Sequence, residues 1–321
     1  MSVLITGGAG YVGGAVVDRL IERGETVVVV DNLSRTPDSG LPDEVSFHQV
    51  DVGDRDAISA IVREHSVDAC LHFAGLIAVG ESVEHPGLYF EQNVSQTIAL
   101  LDVLAGHDVS NVVFSSSAAV YGEPQEIPIP EDHPHRPTSP YGSTKSIVEQ
   151  LLAQYDLTGT IRSVSLRYFN AAGAAPGRSE RHVPETHLIP LAVDAALGLR
   201  DPLTVFGTDY DTPDGTAVRD YIHVVDLADA HLDALDYLRA GEATDALNLG
   251  NGEGYSVMQV IDSVSRVADH QVPFTLGDRR AGDPPVLVAS AERARHVLGW
   301  VPQQPELDTI VASAWESRIP A

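Results

Sequence analysis

Residues 3–13 read Val-Leu-Ile-Thr-Gly-Gly-Ala-Gly-Tyr-Val-Gly, a short apolar run that turns through glycines straight into a helical pattern. No other stretch limits the fold as much. A buried strand that passes at once into glycines lets the backbone turn tightly, and it leaves the first N–H groups of the next helix without partners. The alternation then repeats. Val3–Thr6, Thr26–Val30, Ser46–Val50, Ala69–Phe73, Asn111–Ser115 and Ile161–Arg167 read as buried strands. Tyr11–Arg23, Arg55–Glu64, Gly87–Ala105 and Tyr141–Tyr155 read as the helices between them. Such alternation implies right-handed crossovers, and hence an α/β fold on a doubly wound parallel sheet. From about Asn170 the texture shifts to Gly, Pro and charged residues, which predicts a smaller C-terminal α/β lobe. Val224–Leu238 reads as a helix and Ala246–Leu249 as a strand, both expected to return to the first sheet. The predicted division is residues 1–168 with about 222–250, against the remainder of 169–321.

Composition narrows the partners. The chain has 321 residues with 20 basic and 46 acidic side chains, a net charge of −26. Its field therefore repels nucleic-acid backbones and anionic membrane surfaces. No segment is long and apolar enough to span a bilayer, and the start lacks the basic lead of a signal peptide. A cytoplasmic location is the expectation. One cysteine, Cys70, excludes a disulfide framework and a cysteine-built metal centre. The pairs His133/His135 and His182/His187 have no carboxylate spacing that specifies a metal, and none is expected. Lys145 is the only lysine; every other basic residue is arginine. With the acidity, that bias reads as adaptation to a salty cytoplasm, where the screening length falls to about 3 Å at 1 M. A GC-rich genome is the plainer explanation, and the size of the charge favours the first.

The spacing of Gly7, Gly10 and Gly13 suits close approach to a pyrophosphate, and the helix opening at Tyr11 presents its positive dipole end there. Asp31 closes the second strand 18 residues beyond Gly13. A carboxylate at that place accepts both ribose hydroxyls and repels a 2′-phosphate, favouring NAD over NADP. Arg35 is the counter-signal, because a nearby guanidinium accommodates that phosphate; Asp31 weighs more, since it stands at the strand tip. Asp51-Val52 ends the third strand, where a side chain either meets an adenine or only terminates the strand.

Ser139-Pro140-Tyr141-Gly142-Ser143-Thr144-Lys145 opens a helix with an N-cap serine and a first-position proline. Tyr141 and Lys145 then lie about 6 Å apart along the axis, on one face. A free tyrosine has a pKa of about 10, so ionising it near neutrality needs roughly 4 kcal/mol of help. An ammonium one turn away and a cationic nicotinamide ring are the expected sources. Upstream, Phe114-Ser115-Ser116-Ser117-Ala118 ends a strand at the carboxyl edge of the sheet, where ligands bind. Ser117 is placed to relay a hydrogen bond between the tyrosine and a substrate hydroxyl.

The glycine turn, Asp31, the serine run and Tyr-x-x-x-Lys together resemble the extended short-chain dehydrogenase/reductase family. His72-Phe73-Ala74-Gly75-Leu76, Ala78-Val79-Gly80-Glu81-Ser82, Arg167-Tyr168-Phe169-Asn170 and Gly215-Thr216-Ala217-Val218-Arg219-Asp220-Tyr221-Ile222-His223-Val224 narrow it further. Over essentially the whole chain they resemble its UDP-glucose (UDP-galactose) 4-epimerase branch. The resemblance implies a Rossmann-like first domain, bound NAD and a UDP-sugar substrate. It implies that Gly7, Gly10, Tyr11, Val12, Gly13, Asp31, Asn32, Leu33, Ser34, Arg35, Thr36, Asp51 and Val52 line the NAD site. Phe73, Ala74, Gly75, Leu76, Ile77, Asn93, Tyr141, Lys145 and Phe169 complete that lining. Ser117, Tyr141, Asn170, His187, Leu188, Phe206, Arg219, Arg280 and Asp283 would face the UDP-sugar, with Tyr141, Lys145 and Ser117 catalytic. Arg219 and Arg280 suit pyrophosphate oxygens, and Phe206 a stacked uracil; ion pairing and core packing are their plain alternatives.

The implied reaction oxidises sugar carbon 4 through NAD, turns the 4-keto sugar over and reduces it on the other face. Ile77 departs from the pattern, standing where family members commonly carry a lysine near the cofactor phosphates. Leu287 matches the gate of the sugar pocket, where a large aromatic excludes N-acetylated sugars and a small residue admits them. Leucine leaves N-acetylhexosamine, pentose and uronate substrates open. A dehydratase would need an acidic pair beside the serine, and Ser116-Ser117-Ala118-Ala119 offers none. A non-catalytic NAD-sensing protein would have no need of Tyr141 and Lys145. By family analogy, the helices Gly87–Ala105 and Tyr141–Tyr155 imply a homodimer.

Overall fold

The computed structural model describes residues 1–182, 184–280 and 283–319. The first half runs β1 (Ser2–Thr6), α1 (Tyr11–Glu22), β2 (Val27–Asp31), β3 (Ser46–Gln49), α2 (Arg55–Glu64) and β4 (Val67–His72). It continues through α3 (Val79–Glu84), α4 (Pro86–Phe90), α5 (Gln96–Gly106), β5 (Asn111–Ser117), α6 (Pro140–Leu157) and β6 (Arg162–Tyr168). The second half has β7 (Asn170–Ala172), α7 (Leu188–Ala196), β8 (Leu203–Phe206), β9 (Val218–Arg219), β10 (Tyr221–His223) and α8 (Val224–Arg239). Last come β11 (Asp245–Leu249), β12 (Tyr255–Ser256), α9 (Val257–Ala268), β13 (Phe274–Gly277), β14 (Val286–Leu287), α10 (Glu292–Leu298) and α11 (Leu307–Glu316).

Seven strands form one parallel sheet in the order β11-β6-β5-β4-β1-β2-β3. The continuous β-branched run Val27–Val30 is what a strand covered on both faces requires. Alternate side chains feed two cores. Val3, Ile5, Val29 and Leu71 pack towards α1 and α8. Leu4, Val28, Val30 and Cys70 pack towards α2, α5 and α6. Each fully buried valine, leucine or isoleucine among them contributes about 1.5–3 kcal/mol. The order reverses between β1 and β4, and ligands of such sheets settle beyond the carboxyl ends at that reversal.

Two expectations need correction. The helix expected over Gly87–Ala105 is interrupted by a π turn at Glu91–Ser95, which separates α4 from α5. The wider turn carries Asn93, whose side chain is committed to the loop after β4, and such bulges often mark functional positions. The C-terminal lobe also holds longer helices than its Gly/Pro texture predicts. α7, α9 and α11 close over β8 and β10 with Ile189, Val193, Val205, Ile261, Val264 and Ile310 inside. Sequence did carry a signal for α9: Ser256 and Gln259 form a reciprocal capping box.

Candidate active site

The glycine turn is shaped by what a side chain would strike. A Cβ on Gly7, whose φ is +72°, would lie 2.6 Å from Ala74 N, and one on Gly13 would lie 2.4 Å from Gly7 O. The first turn of α1 has neither a side-chain cap at Gly10 nor an acidic residue. Its N–H groups are therefore left for an anion from outside. Asp31, at the tip of β2, accepts from Ala9 N at 3.1 Å and Leu33 N at 2.9 Å. Burial raises its pKa, and those two hydrogen bonds oppose the rise. Leu33 adopts a left-handed φ of 56° so that the chain can fold back on Asp31. Asn32 Nδ2 lies 3.3 Å from Asp51 Oδ2, and Ser34 N donates to Asn32 Oδ1 at 3.0 Å. Arg35 is committed elsewhere: its Nη2 meets both oxygens of Glu81, at 2.7 and 2.8 Å. Thr36 Oγ1 is shielded from solvent yet has no partner among the described residues. Asp51 caps its own turn through Gly53 N at 2.9 Å, and Val52 enters the core.

The loop after β4 forms the other wall. Phe73 packs on His231, with ring centroids 4.7 Å apart. Asn93 Oδ1 accepts from Leu76 N at 2.7 Å, while its Nδ2 donates to Leu76 O at 2.9 Å and Thr144 Oγ1 at 3.2 Å. All its polar capacity thus goes into clamping Ala74-Gly75-Leu76 to α6. Ile77 projects into solvent beyond that clamp. Beneath the loop Thr6 Oγ1, His72 and Thr97 form a buried relay, with contacts of 2.6 and 2.9 Å. Burial, together with the Lys145 charge, lowers His72 to a pKa of about 3, so the ring is neutral. Sequence reasoning missed this relay because its members lie far apart along the chain.

Ser139 caps α6 by accepting from Gly142 N at 3.1 Å. Gly142 lets the helix press on the strand tip: a Cβ there would sit 2.3 Å from Ala119 O. Tyr141 and Lys145 are only 8% and 4% exposed. Lys145 Nζ donates to Ser115 O at 2.8 Å and lies 5.8 Å from the Tyr141 ring centroid. Burial lowers Lys145 to about 8, with Glu149 pulling the other way. Burial also raises Tyr141, and a hydrogen bond from Ser117 offsets part of that rise. In the protein alone the phenol is therefore kept protonated, in line with the expectation that Lys145 acts together with a cationic nicotinamide ring rather than by itself. Ser117 Oγ accepts from Ala119 N at 3.2 Å. Phe169 packs with Leu287 on a small cluster of Ala118, Val120, Tyr121 and Ile129.

Short strands of the second lobe carry the remaining side chains. Parallel β9 and β14 set Arg219 beside Leu287, and β8 and β13 set Phe206 beside Gly277. Arg219 donates to Asp283 Oδ1, to Val218 O at 2.7 Å and to Pro284 O at 2.8 Å. The Arg280 guanidinium covers one face of Phe206, 4.1 Å from its centroid. Asn170 Nδ2 donates to Asp220 O at 2.9 Å. His187 precedes α7 and shares 2.8 Å with Glu185 Oε1, while Leu188 begins the helix against the lobe core. Tyr11 joins the two lobes, its hydroxyl donating to Gly173 O at 2.6 Å. Among the described residues no group of three or more His, Cys, Asp or Glu side chains could hold a metal ion. His133 and His135 instead contact Gln125 N at 2.9 Å and Ser146 Oγ at 3.0 Å.

A doubly wound sheet with an open glycine turn, an acid at the β2 tip and a buried Tyr–Lys pair defines the extended class of short-chain dehydrogenases/reductases. Within it, residues 3–250 match the family described as the NAD dependent epimerase/dehydratase family, and the chain belongs to that family. It is 48% identical over 319 residues to a UDP-glucose 4-epimerase of Streptococcus mutans, covering 98% of this chain and 96% of that one. Among solved structures it is similar to the Brucella ovis UDP-glucose 4-epimerase in complex with NAD. That match has a TM-score of 0.95 and 43% identity over 98% of this chain and 97% of that chain. It is also similar to the Bifidobacterium longum UDP-glucose 4-epimerase in complex with NAD+ and UDP. There the TM-score is 0.93, with 38% identity over 99% and 98% of the two chains.

Proposed function

We propose that this chain interconverts UDP-glucose and UDP-galactose by inverting carbon 4 of the sugar. The observation that carries the proposal is the buried Tyr141–Lys145 pair beside Ser117 at the carboxyl edge of the sheet that also carries the uncapped glycine turn. Features of the turn fit NAD: the uncapped α1 N-terminus for the pyrophosphate, Asp31 for the ribose hydroxyls and the unpartnered Thr36 Oγ1. The Arg35 guanidinium is paired with Glu81, so a 2′-phosphate would have to displace that carboxylate as well as meet the Asp31 charge, which supports NAD over NADP. Bound NAD supplies a reversible hydride acceptor for sugar carbon 4.

The chain's own residues handle the proton and the nucleotide. Tyr141 Oη takes the proton of the 4-hydroxyl and gives it back after the sugar has turned, with Ser117 orienting that hydroxyl. Because burial keeps the phenol protonated in the protein alone, the additional positive charge has to arrive with the ligand. Lys145 contributes from the next turn. Arg219 and Arg280 hold the diphosphate by exchanging Asp283 and Phe206 for phosphate oxygens, and the uracil takes the Phe206 face. The hexose is left loosely held, as inversion requires.

The same reading assigns residues 1–168 with about 222–250 to NAD and the remainder of 169–321 to the nucleotide sugar; hydrogen bonding of β11 to β6 supports it. A homodimer belongs to the proposal, since Val83, Leu88 and Phe90 face solvent next to the α4–α6 helix group. So do a cytoplasmic location and an adaptation of the acidic surface to high salt; no described helix is long and apolar enough to cross a membrane. The test is incubation of the purified protein, without added cofactor, with UDP-galactose labelled at carbon 4. UDP-glucose should accumulate with the label retained. No conversion, or loss of the label to solvent, overturns the proposal.

A further inference from the structure

Tyr141, Lys145 and Glu149 recur at four-residue steps along one face of α6, and each meets one of the three serines that end β5. Ser117 bonds Tyr141, Ser115 O receives Lys145 Nζ, and Ser116 Oγ donates to Glu149. Only the last contact has no part in the chemistry above. The Glu149 and Arg167 side chains are 8% and 7% exposed. Arg167, on β6, grips the carboxylate through Nε at 3.0 and 3.1 Å and through Nη2 at 2.6 Å. Its Nη1 donates to Tyr121 Oη at 2.9 Å and Glu131 O at 3.0 Å. Tyr121 Oη donates onward to Asn248 Oδ1, on β11, at 2.7 Å. A continuous polar chain thus ties the helix of Tyr141 and Lys145 to β5, β6 and β11.

Stability is a poor reason for such a chain, because apolar side chains of equal volume often hold a fold as well as a buried ion pair. Direction is the better reason. A forked carboxylate–guanidinium contact fixes two elements in one register, and the register of α6 on β5 sets where Tyr141, Lys145 and Ser117 stand. We infer that Glu149, gripped by Arg167, is a positioning residue that holds Tyr141 and Lys145 in register with the serine tip of β5. The inference rests on the epimerisation proposed above.

The groups around this pair are few. Lys145 faces Glu149 and Tyr141 on its own helix, the Phe114 ring on β5 and neutral His72 on β4. Glu149 faces Arg167 on β6, with Tyr121 and Glu131 beside that guanidinium, and His135 Nε2, 3.9 Å away on the segment leading into α6. The Glu149 charge helps Lys145 keep its proton, so removing it moves the alkaline limb of the rate profile to lower pH.

Two variants separate positioning from folding. Glu149→Gln keeps the shape but loses the charge. Glu149→Leu combined with Arg167→Met replaces the whole pair by apolar side chains. Both should lower kcat about ten- to a hundred-fold, with KM changed less than about two-fold and bound NAD retained. Glu149→Gln should also shift the alkaline limb downwards, while the double variant unfolds within a few degrees of wild type. A double variant that folds and turns over within about two-fold of wild type overturns the inference. So does one that loses fold and NAD together, which would make the pair merely structural. An inactive wild-type protein would overturn the proposed function and this inference with it, whereas active wild type with unaffected variants sinks the inference alone.

Discussion

Tyr141 and Lys145 stand on one 18-residue helix and press on a single strand tip, whereas Phe206, Arg219, Arg280 and Asp283 come from separate short strands and loops. The first group is dry, and its partners are the Ser115 backbone and the half-buried Ser117. The second is partly open, and its charges lean on one another: Arg219 on Asp283, Arg280 on the Phe206 ring. A reacting proton needs a fixed geometry, because small misplacements are costly in rate. A nucleotide grip has to trade internal partners for the ligand and take them back on release. Rigidity and exchangeability are thus assigned to different parts of the proposed site.

The sharpest way to break this contrast is at the dry wall. Tyr141→Phe should lower kcat by about 10³-fold or more while NAD stays bound, measured by steady-state turnover and by the nucleotide released on denaturation. Near-normal turnover would remove the assigned base. At the open wall the effect should be smaller and of another kind. Arg219→Met removes a charge-assisted grip worth about 1.5–3 kcal/mol, so KM for the UDP-sugar should rise about ten- to a hundred-fold with kcat little changed. A drop in kcat at constant KM would mean that Arg219 belongs with the reacting groups.

Acid should loosen the dry wall through its neutral imidazoles. Burial lowers His231 to about 4 and His72 to about 3, both below the ordinary value of 6.5. The unfolded chain then binds more protons than the folded one, so this stability is present above about pH 6.5 and is lost as pH falls towards those values. His231→Phe, placed against Phe73, removes one titration. The loss of denaturant resistance between pH 7 and 4.5 should shrink by about 2 kcal/mol; an unchanged loss would contradict the assignment. The mildest expected effect is that of salt. Raising KCl to about 1 M shortens the screening length to about 3 Å and should raise the unfolding temperature by a few degrees, read by calorimetry. A flat response would favour genome composition over salt adaptation as the source of the −26 charge.

Much of the sheet and the dry wall could be read from sequence because their signals are local. Glycines follow a strand directly, Ser139-Pro140 announces α6, and Tyr141 and Lys145 are one turn apart. The rest was illegible for a physical reason: it depends on partners far along the chain. Nothing near Arg35 shows that Glu81 will take its charge, and nothing near Glu149 points to Arg167. Asn93 could be tied to the cofactor loop by resemblance only; its commitment to Leu76 and Thr144 became visible once the π turn was in place. The second lobe hid its helices because their apolar faces are separated by long polar loops, although the Ser256/Gln259 cap was there to be read.

Shutting the only lysine beneath Phe114 changes how the folded protein meets reagents. Among the side chains, its outer surface presents no primary amine. Acylating agents and aldehydes would therefore spare the side chains of the native molecule, and a label on Lys145 would report that the fold around α6 had opened.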